Sequence, residues 1–189
     1  LSLDDHVAIQ KELESSFDIK LSMSIGYGEN PYDANLDAYE AKKSQKFLNE
    51  QYSIFGTLNG HSEHSVTVMH LDVDDITSIR KKSMSPYDTS SLMFKIYSRM
   101  SEYFLSKNSL TFFMGGDNFM VVTNSEFKNF AKDFIQICKD EFQIELNCGI
   151  GTASTSRNAV KLATQSLDTI REIRDAGKEK PEIYELNWF

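Results

Sequence analysis

The sequence predicts an α+β fold in which strands and helices alternate and part of the unit occurs twice. The residues from Val66 to Asp72 form a nearly continuous apolar run, typical of a central strand covered on both faces. The stretch "LTFFMGGDNFMVVT", Leu110 to Thr123, joins two β-forming runs through a Gly/Asp/Asn turn and predicts a hairpin. Amphipathic helical patterns separate these strands from the later ones.

Composition limits the classes of protein that the chain can belong to. Its 189 residues are 40% hydrophobic, enough for one large domain or two small ones. A net charge of −8 and a pI near 5.0 argue against binding to nucleic-acid polymers or membrane surfaces, since both require clustered Lys and Arg. Cys138 and Cys148 lie in apolar patterns that predict buried side chains, and they do not suggest a disulfide framework. The chain has neither a signal-peptide pattern nor a long apolar run. We therefore expect a globular, cytoplasmic protein.

The second part of the chain predicts the order β-α-β-β-α-β-α-β. After the first strand, Ser85 and Pro86 suit the start of a helix, and Asp88 completes its cap. The hairpin follows, and then come a helix, a strand from Glu145 to Ile150, another helix and a last strand from Glu182 to Leu186. This order predicts a sheet with helices on one face, related to the ferredoxin-like arrangement.

An internal repeat links the two parts of the chain. "IKLSMSIGYGENPYDANLDA" from Ile19 aligns without gaps with "IELNCGIGTASTSRNAVKLA" from Ile144, and each reads as strand, glycine turn, loop and helix. The counterpart of the second unit's first strand would lie about sixty residues before Leu1. We therefore expect residues 1–58 to be the C-terminal part of a first domain that is incomplete at its N-terminus, and residues 59–189 to be a complete second domain.

Two acidic residues of the second unit are predicted to meet at one edge of the sheet. Asp72 closes the first strand and Asp117 lies in the glycine turn of the neighbouring hairpin, with the backbone carbonyl of Val73 as a third oxygen. Hard oxygen ligands with positions left for water and phosphate are those that Mg²⁺ prefers. The alternative is structural: Asp75 caps a helix, Asp74 faces water, and the hairpin is only a tight turn.

The motifs carry a family resemblance. The strand "MHLDVDDIT", the hairpin "FFMGGDNF" and the order of elements resemble the palm-type nucleotidyl cyclase domains that include the GGDEF diguanylate cyclases. More closely, "HLDVDDIT", "SPYDT", "FFMGGDNFM", "ELNCGIG" and "SMSIGYGENPYDA" are similar to the archaeal GTP cyclohydrolase III family, which is built from two such domains.

The resemblance implies a hydrolase that depends on Mg²⁺, with two ions in its site. It would open the guanine imidazole ring of GTP and release pyrophosphate, giving a formylaminopyrimidine ribonucleotide monophosphate for riboflavin and deazaflavin synthesis. It also implies that Asp72 and Asp117 hold the metal and act in catalysis together with Asn118. The protein would be a homo-oligomer, either a dimer or a tetramer. The nucleotide contacts implied are Gly115, Gly116, Asn118, Thr77, Tyr87, Asp88 and Arg171. A requirement for a monovalent cation is left open.

Other readings of the same residues stay open. A palm-type nucleotidyl cyclase would keep the metal pair, although Asn118 stands where the diguanylate cyclases have a second consecutive acid. A degenerate module that binds nucleotide without turnover is the second alternative. A zinc site is disfavoured, because His61 and His64 lie in a polar linker. Arg171 could equally lie on a solvated helix face, and Asp88 could serve only as a cap. The terminal Trp188 and Phe189 could mark a subunit contact.

Overall fold

The structure is a computed structural model that describes residues 1–58, 65–74, 84–123 and 127–188. The chain divides into two compact units, Leu1–Ser62 and Glu63–Phe189. Each unit has its own sheet. The assignment of the first unit to an incomplete palm-like domain remains a prediction.

The first unit contains two helices and three short strands. In chain order they are α1 (Leu3–Phe17), β1 (Met23–Ile25), α2 (Pro31–Lys43), β2 (Phe47–Asn49) and β3 (Ile54–Gly56). The sheet order is β1-β3-β2, with β1 parallel and β2 antiparallel to the central β3. Both helices begin at a polar cap, Ser2 for α1 and Asn30 for α2, whose side chains accept backbone N–H groups of the first turn.

The second unit contains the predicted order of strands and helices. Its elements are β4 (Val66–Val73), α3 (Pro86–Leu105), β5 (Leu110–Gly115), β6 (Asn118–Thr123), α4 (Phe127–Phe142), β7 (Leu146–Ala153), α5 (Ser156–Asp175) and β8 (Ile183–Trp188). The sheet order is β5-β6-β4-β7-β8, in which β7 and β8 are parallel and the other neighbours are antiparallel. Ser85 and Asp88 form the reciprocal cap expected at the start of α3.

The sheet of the second unit has helices on both faces, so the expectation of helices on one face is wrong. Met69, Leu71 and Val73 of β4 belong to a core that α3 and α4 cover. The alternate residue Val68 packs instead with Ala159 and Ala163 of α5 on the opposite face. An amphipathic pattern reveals that a helix has a buried side but not which face of a sheet it covers, and only the tertiary structure decides this point.

The internal repeat has a structural counterpart in the packing of a strand glycine against a helix. A Cβ added at Gly151 would lie 2.2 Å from the carbonyl oxygen of Ala159 and 2.3 Å from the backbone nitrogen of Ala163. At Gly26 the same atom would lie 1.9 Å from the oxygen of Ala34 and 2.4 Å from the nitrogen of Ala38. The glycine and the two alanines of each repeat therefore permit the same close approach of helix to strand.

Candidate active site

The two predicted acidic residues lie at the same end of the sheet. Asp72, near the end of β4, pairs in register with Asn118, the first residue of β6, and Asp117 occupies the turn directly before it. Gly115 and Gly116 have φ of 98° and 65°, which L-residues rarely adopt. An added Cβ at Gly115 would meet no described atom within 4 Å, so the glycines serve the conformation of the turn and leave its backbone open to a ligand.

Asp72 is a buried carboxylate with one paired and one unpaired oxygen. Its Oδ2 accepts hydrogen bonds from Nε and Nη2 of Arg171 at 3.1 and 2.7 Å. Its Oδ1 is buried and has no hydrogen-bond partner within the described residues. Burial raises the pKa of Asp72, Arg171 and the nearby Asn147 side chain oppose this, and the charge of Asp117 raises it further. An unpaired buried carboxylate oxygen is costly unless a cation or donor reaches it.

The strand register indicates where the backbone carbonyl of Val73 lies. The backbone N–H of Asp74 donates to Glu145 at 2.9 Å, continuing the antiparallel β4–β7 ladder beyond the Val73–Leu146 pair. Backbone groups of successive residues point to opposite neighbours, so those of Val73 point towards β6. The β4–β6 ladder ends at Asp72 and Asn118. The Val73 carbonyl therefore extends past the last pair, on the side of the turn that carries Asp117.

Asn118 connects the turn to a residue that was not predicted. Its Nδ2 donates to Asp117 Oδ1 at 2.8 Å, and its Oδ1 lies 3.1 Å from Nε2 of His70. The other ring nitrogen of His70 lies 3.3 Å from Oγ1 of Thr164 on α5. Burial is the largest influence on His70 and lowers its pKa, although the bond with Asn118 opposes this. The signal available in the sequence was a histidine inside the largely apolar run of β4.

A second charged cluster, centred on Asp74, follows the Asp72–Arg171 pair along the chain. Asp74 receives hydrogen bonds from Arg174 at 3.2 Å and Asn147 at 3.1 Å, and pairs with Lys180 at 3.0 Å. Only 12% of its side chain is exposed, so the reading in which Asp74 faces water is wrong. Asn147, Arg174 and Lys180 were not predicted, and Asn147 could have been noticed as a polar residue in a largely apolar strand. These contacts hold Asp74, so it is not available as a free ligand next to Asp72.

A cavity of about 420 Å³ opens beside the glycine turn. Its walls carry two aromatic rings, two hydroxyl groups and the turn itself. The lining residues are Pro86, Thr89, Ser90, Met93, Phe94, Phe113, Gly116 and Asp117. This volume and mixture of apolar and polar groups are typical of sites for small molecules.

The remaining predicted residues are distributed as follows. Tyr87 is 83% exposed and does not line this cavity. The side chain of Asp88 accepts from the backbone N–H and hydroxyl of Ser85, so capping accounts for it. Arg171 pairs with Asp72 and Asp168 and is not on a merely solvated face. Trp188 is 62% exposed. Thr77, Asp75, His61, His64 and Phe189 lie outside the described residues.

The donor set fits a hard divalent cation better than zinc. Two carboxylates and a backbone carbonyl lie at the same end of the sheet, and one of the carboxylate oxygens has no hydrogen-bond partner among the described residues. Oxygen is the preferred donor of Mg²⁺. Within the described ranges there is no group of three or more His, Cys, Asp or Glu side chains that could hold a metal. Cys138 and Cys148 are fully buried, and burial raises the pKa of both thiols, that of Cys138 to about 12. Thiolate ligation therefore has no support.

Sequence comparisons place the chain among related proteins. A family model described as GTP cyclohydrolase III matches residues 1–182. The GTP cyclohydrolase III of Methanothermobacter thermautotrophicus is 32% identical over 90% of this chain and 70% of its own length. The enzyme of Methanococcus vannielii is 31% identical over 98% of this chain and 70% of its own length. The enzyme of Methanocaldococcus jannaschii is 28% identical over 90% of this chain and 65% of its own length. The chain thus spans about two thirds of the length of these relatives.

Structural comparisons support the fold. The GGDEF domain of a Pseudomonas aeruginosa protein superposes with a TM-score of 0.51 and 20% identity, covering 66% of this chain and 84% of that domain. A diguanylate cyclase/phosphodiesterase from Caldicellulosiruptor saccharolyticus superposes with a TM-score of 0.50 and 16% identity, covering 65% of this chain and 76% of that chain. The predicted α+β, palm-cyclase type of fold is confirmed. In the described part of the chain, no helix is both long and apolar enough to cross a bilayer.

Proposed function

The chain belongs to the GTP cyclohydrolase III family and is a GTP cyclohydrolase enzyme, and from this premise we propose the reaction that it catalyses. GTP is hydrolysed with opening of the guanine imidazole ring and cleavage of the α–β phosphate linkage. The products are a formylaminopyrimidine ribonucleotide monophosphate and pyrophosphate. One water opens the ring between C8 and N9, which leaves C8 as the formyl group, and a second water cleaves the phosphate linkage. The product class suits riboflavin and deazaflavin synthesis.

The observation that carries the proposal is the position of Asp72, Val73 and Asp117 at the same end of the paired strands β4 and β6. These three groups would hold Mg²⁺, with two ions as the expected number. When bound, the ions neutralise phosphate charge and lower the pKa of a coordinated water. The chain itself supplies the fixed positions of the carboxylates, because one lies on a central strand and the other on the glycine turn that joins the paired strands β5 and β6.

The residues around the acids suit a nucleotide. The Gly115–Gly116 backbone has no side chain to keep a phosphate away. Phe94 and Phe113 in the adjacent cavity offer ring faces to a base, and Thr89 and Ser90 offer hydroxyl groups to its polar edge. Arg171 carries a positive charge at the site and holds Asp72 through Oδ2, leaving Oδ1 for a cation. We propose no residue for the attack on guanine C8.

The test is to incubate the protein with GTP and Mg²⁺ and to follow ultraviolet absorbance together with pyrophosphate release. Ring opening destroys the guanine absorbance band. We expect Asp72→Asn and Asp117→Asn to lower the rate by at least about a hundredfold, since each removes a metal ligand. Asp140→Asn is the matched control, because Asp140 is an exposed acid of α4 whose hydrogen-bond partner is Gln136 of its own helix.

Other products would identify the alternatives. An intact guanine band with pyrophosphate release and a cyclic or linked nucleotide would indicate a palm-type cyclase. Binding of GTP by calorimetry without any product would indicate a regulatory module. Either result would contradict the proposed reaction. The subunit number, the cytoplasmic location and any need for a monovalent cation remain predictions for separate measurement.

A further inference from the structure

His70 lies at the candidate site without a role in the reaction proposed above. It stands two residues before Asp72 on β4, so the two side chains share the face of the sheet that α5 covers. Val68, two residues earlier on the same face, packs against the alanines of α5 as an ordinary core residue. At His70 the apolar pattern is interrupted by a ring with both nitrogens in hydrogen-bond contact.

The donor and the acceptor of each hydrogen bond in this series can be assigned by starting from the Asp117 carboxylate. A carboxylate accepts, so the Asn118 amide must present Nδ2 to Asp117 Oδ1, at 2.8 Å. Its Oδ1 then faces His70 Nε2 at 3.1 Å and can only accept, so Nε2 carries the proton and donates. In the neutral ring Nδ1 is an acceptor, and the Thr164 hydroxyl at 3.3 Å donates to it. Each bond in this series fixes the orientation of the next group.

We propose that His70 is a positioning residue that sets the orientation of Asp117 through Asn118. The proposal rests on the proposed function, because Asp117 matters as a metal ligand in that reaction. Without a donor at His70, the Asn118 amide can turn over and place its oxygen against the Asp117 carboxylate. Two acceptors facing each other repel, so the carboxylate leaves the orientation in which it accepts from the Asn118 amide.

Thr164 extends the same arrangement from the sheet to α5. Its hydroxyl selects the tautomer of His70 that donates to Asn118, as second partners commonly do for histidines near metals. The orientation of the turn therefore depends on a residue 94 positions from His70. A role in packing alone would need neither the donor at Nε2 nor the hydroxyl on α5.

The experiment compares two substitutions of His70 in the full chain. His70→Phe keeps a ring and removes the donor, whereas His70→Gln keeps an N–H near the position of Nε2. Mn²⁺ and Mg²⁺ affinity are measured by calorimetry without GTP, and the side-chain amide resonance of Asn118 is followed by NMR in the metal-free protein. We expect His70→Phe to weaken metal binding about tenfold to a hundredfold and to shift the Asn118 resonance. His70→Gln should restore most of both.

Thr164→Val and Thr169→Val form a matched pair on α5. Thr164→Val removes the donor to His70 and should shift the Asn118 resonance in the same direction with a smaller loss of metal affinity. The hydroxyl of Thr169 donates to the Gln165 carbonyl of its own helix, so Thr169→Val should leave both readouts unchanged. If His70→Phe does not fold, as shown by circular dichroism, the Asn118 resonance in Thr164→Val decides the question.

The outcomes separate this proposal from the proposed function. An unshifted Asn118 resonance in both His70→Phe and Thr164→Val overturns the role of His70, whatever the enzyme does to GTP. Equal loss of metal affinity in His70→Phe and His70→Gln, with equal displacement of the resonance, overturns it as well. A wild-type protein that leaves the guanine band intact contradicts the reaction, while the resonance and its rescue by His70→Gln still support or reject the positioning role.

Discussion

Asp72 illustrates how one residue can be both a cost to the fold and the basis of the site. Its carboxylate is almost entirely buried, and its one ion-pair partner among the described residues is Arg171. Burial of an ion pair contributes little net stability, but removal of one partner leaves an isolated charge that is expensive. The residue is therefore tolerated in the core because Arg171 compensates one oxygen, while the other has no hydrogen-bond partner among the described residues.

Replacing Arg171 should reveal this cost. In the absence of metal, we expect Arg171→Met to lower the free energy of unfolding at pH 7 by about 3 kcal/mol, because Asp72 loses its partner. The folded-state pKa of Asp72, already raised, then moves further above the unfolded value. Between the unfolded and the folded pKa of Asp72, the folded state binds more protons than the unfolded state. The variant should therefore lose stability as pH rises through this range and regain stability as pH falls. Urea unfolding at several pH values measures the effect.

The control for this prediction is a double-mutant cycle. Asp72→Asn combined with Arg171→Met should be more stable at pH 7 than Arg171→Met alone, since no isolated charge remains. Equal stability of the two variants would contradict the account of Asp72.

The two cysteines should be inert in the folded protein. Burial raises the pKa of Cys138 to about 12 and that of Cys148 as well, and neither side chain is accessible. We expect a disulfide reagent at pH 8 to label neither thiol in the folded chain and both in guanidinium chloride. Rapid labelling of one thiol per folded chain would show that the core opens in this region.

At the scale of elements, the contact between β7 and α5 determines the position of the site. Gly149 and Gly151 of β7 carry no side chain, so α5 approaches until backbone atoms limit it. This close approach brings Thr164, Arg171 and Arg174 to the residues near the end of β4. The glycines thus belong to the site although no ligand need touch them.

Gly151→Ala tests this contact. Its Cβ would lie 2.2 Å from a helix carbonyl, so the helix must move, and we expect a loss of about 3 kcal/mol in stability. Weaker metal binding should accompany it, because Arg171 and Thr164 move with the helix.

Gly177→Ala is the matched control for the same change in composition. Gly177 has φ of 69° and no described atom near an added Cβ, so only backbone strain of about 1 kcal/mol should follow, with metal affinity unchanged. Urea unfolding and calorimetry compare the two variants. A larger loss for Gly177→Ala than for Gly151→Ala would contradict the role given to close packing.

At the scale of the whole chain, the two units differ in how much core they contain. In Leu1–Ser62 the buried hydrophobic side chains of the described residues are Ala41, Ile54 and Phe55. In Glu63–Phe189 buried side chains occupy both faces of a five-stranded sheet. The apolar area buried per residue sets the stability of a small domain, so the second unit has the better basis for independent folding.

We therefore expect a chain of residues 63–189 to fold alone and to bind GTP in the presence of Mg²⁺. Residues 1–62 alone should lack a cooperative transition. Circular dichroism during urea unfolding tests both parts, and calorimetry tests the binding. A non-cooperative transition in 63–189 would contradict the division of the core, and folding without any Mg²⁺-dependent binding would contradict the placement of the site.

The sequence by itself determined the elements of the second unit, the glycine turn and the placement of Asp72 and Asp117 at one sheet edge. Strand periodicity, helix caps and positive-φ glycines act over a few residues, so they can be read directly from the chain. Only the tertiary structure decided which face α5 covers, and therefore that Arg171 pairs with Asp72 across 99 positions and that Thr164 contacts His70 across 94. It also decided that Asp74 is enclosed by Asn147, Arg174 and Lys180. Such contacts depend on how whole elements pack, and local patterns carry no information about that packing.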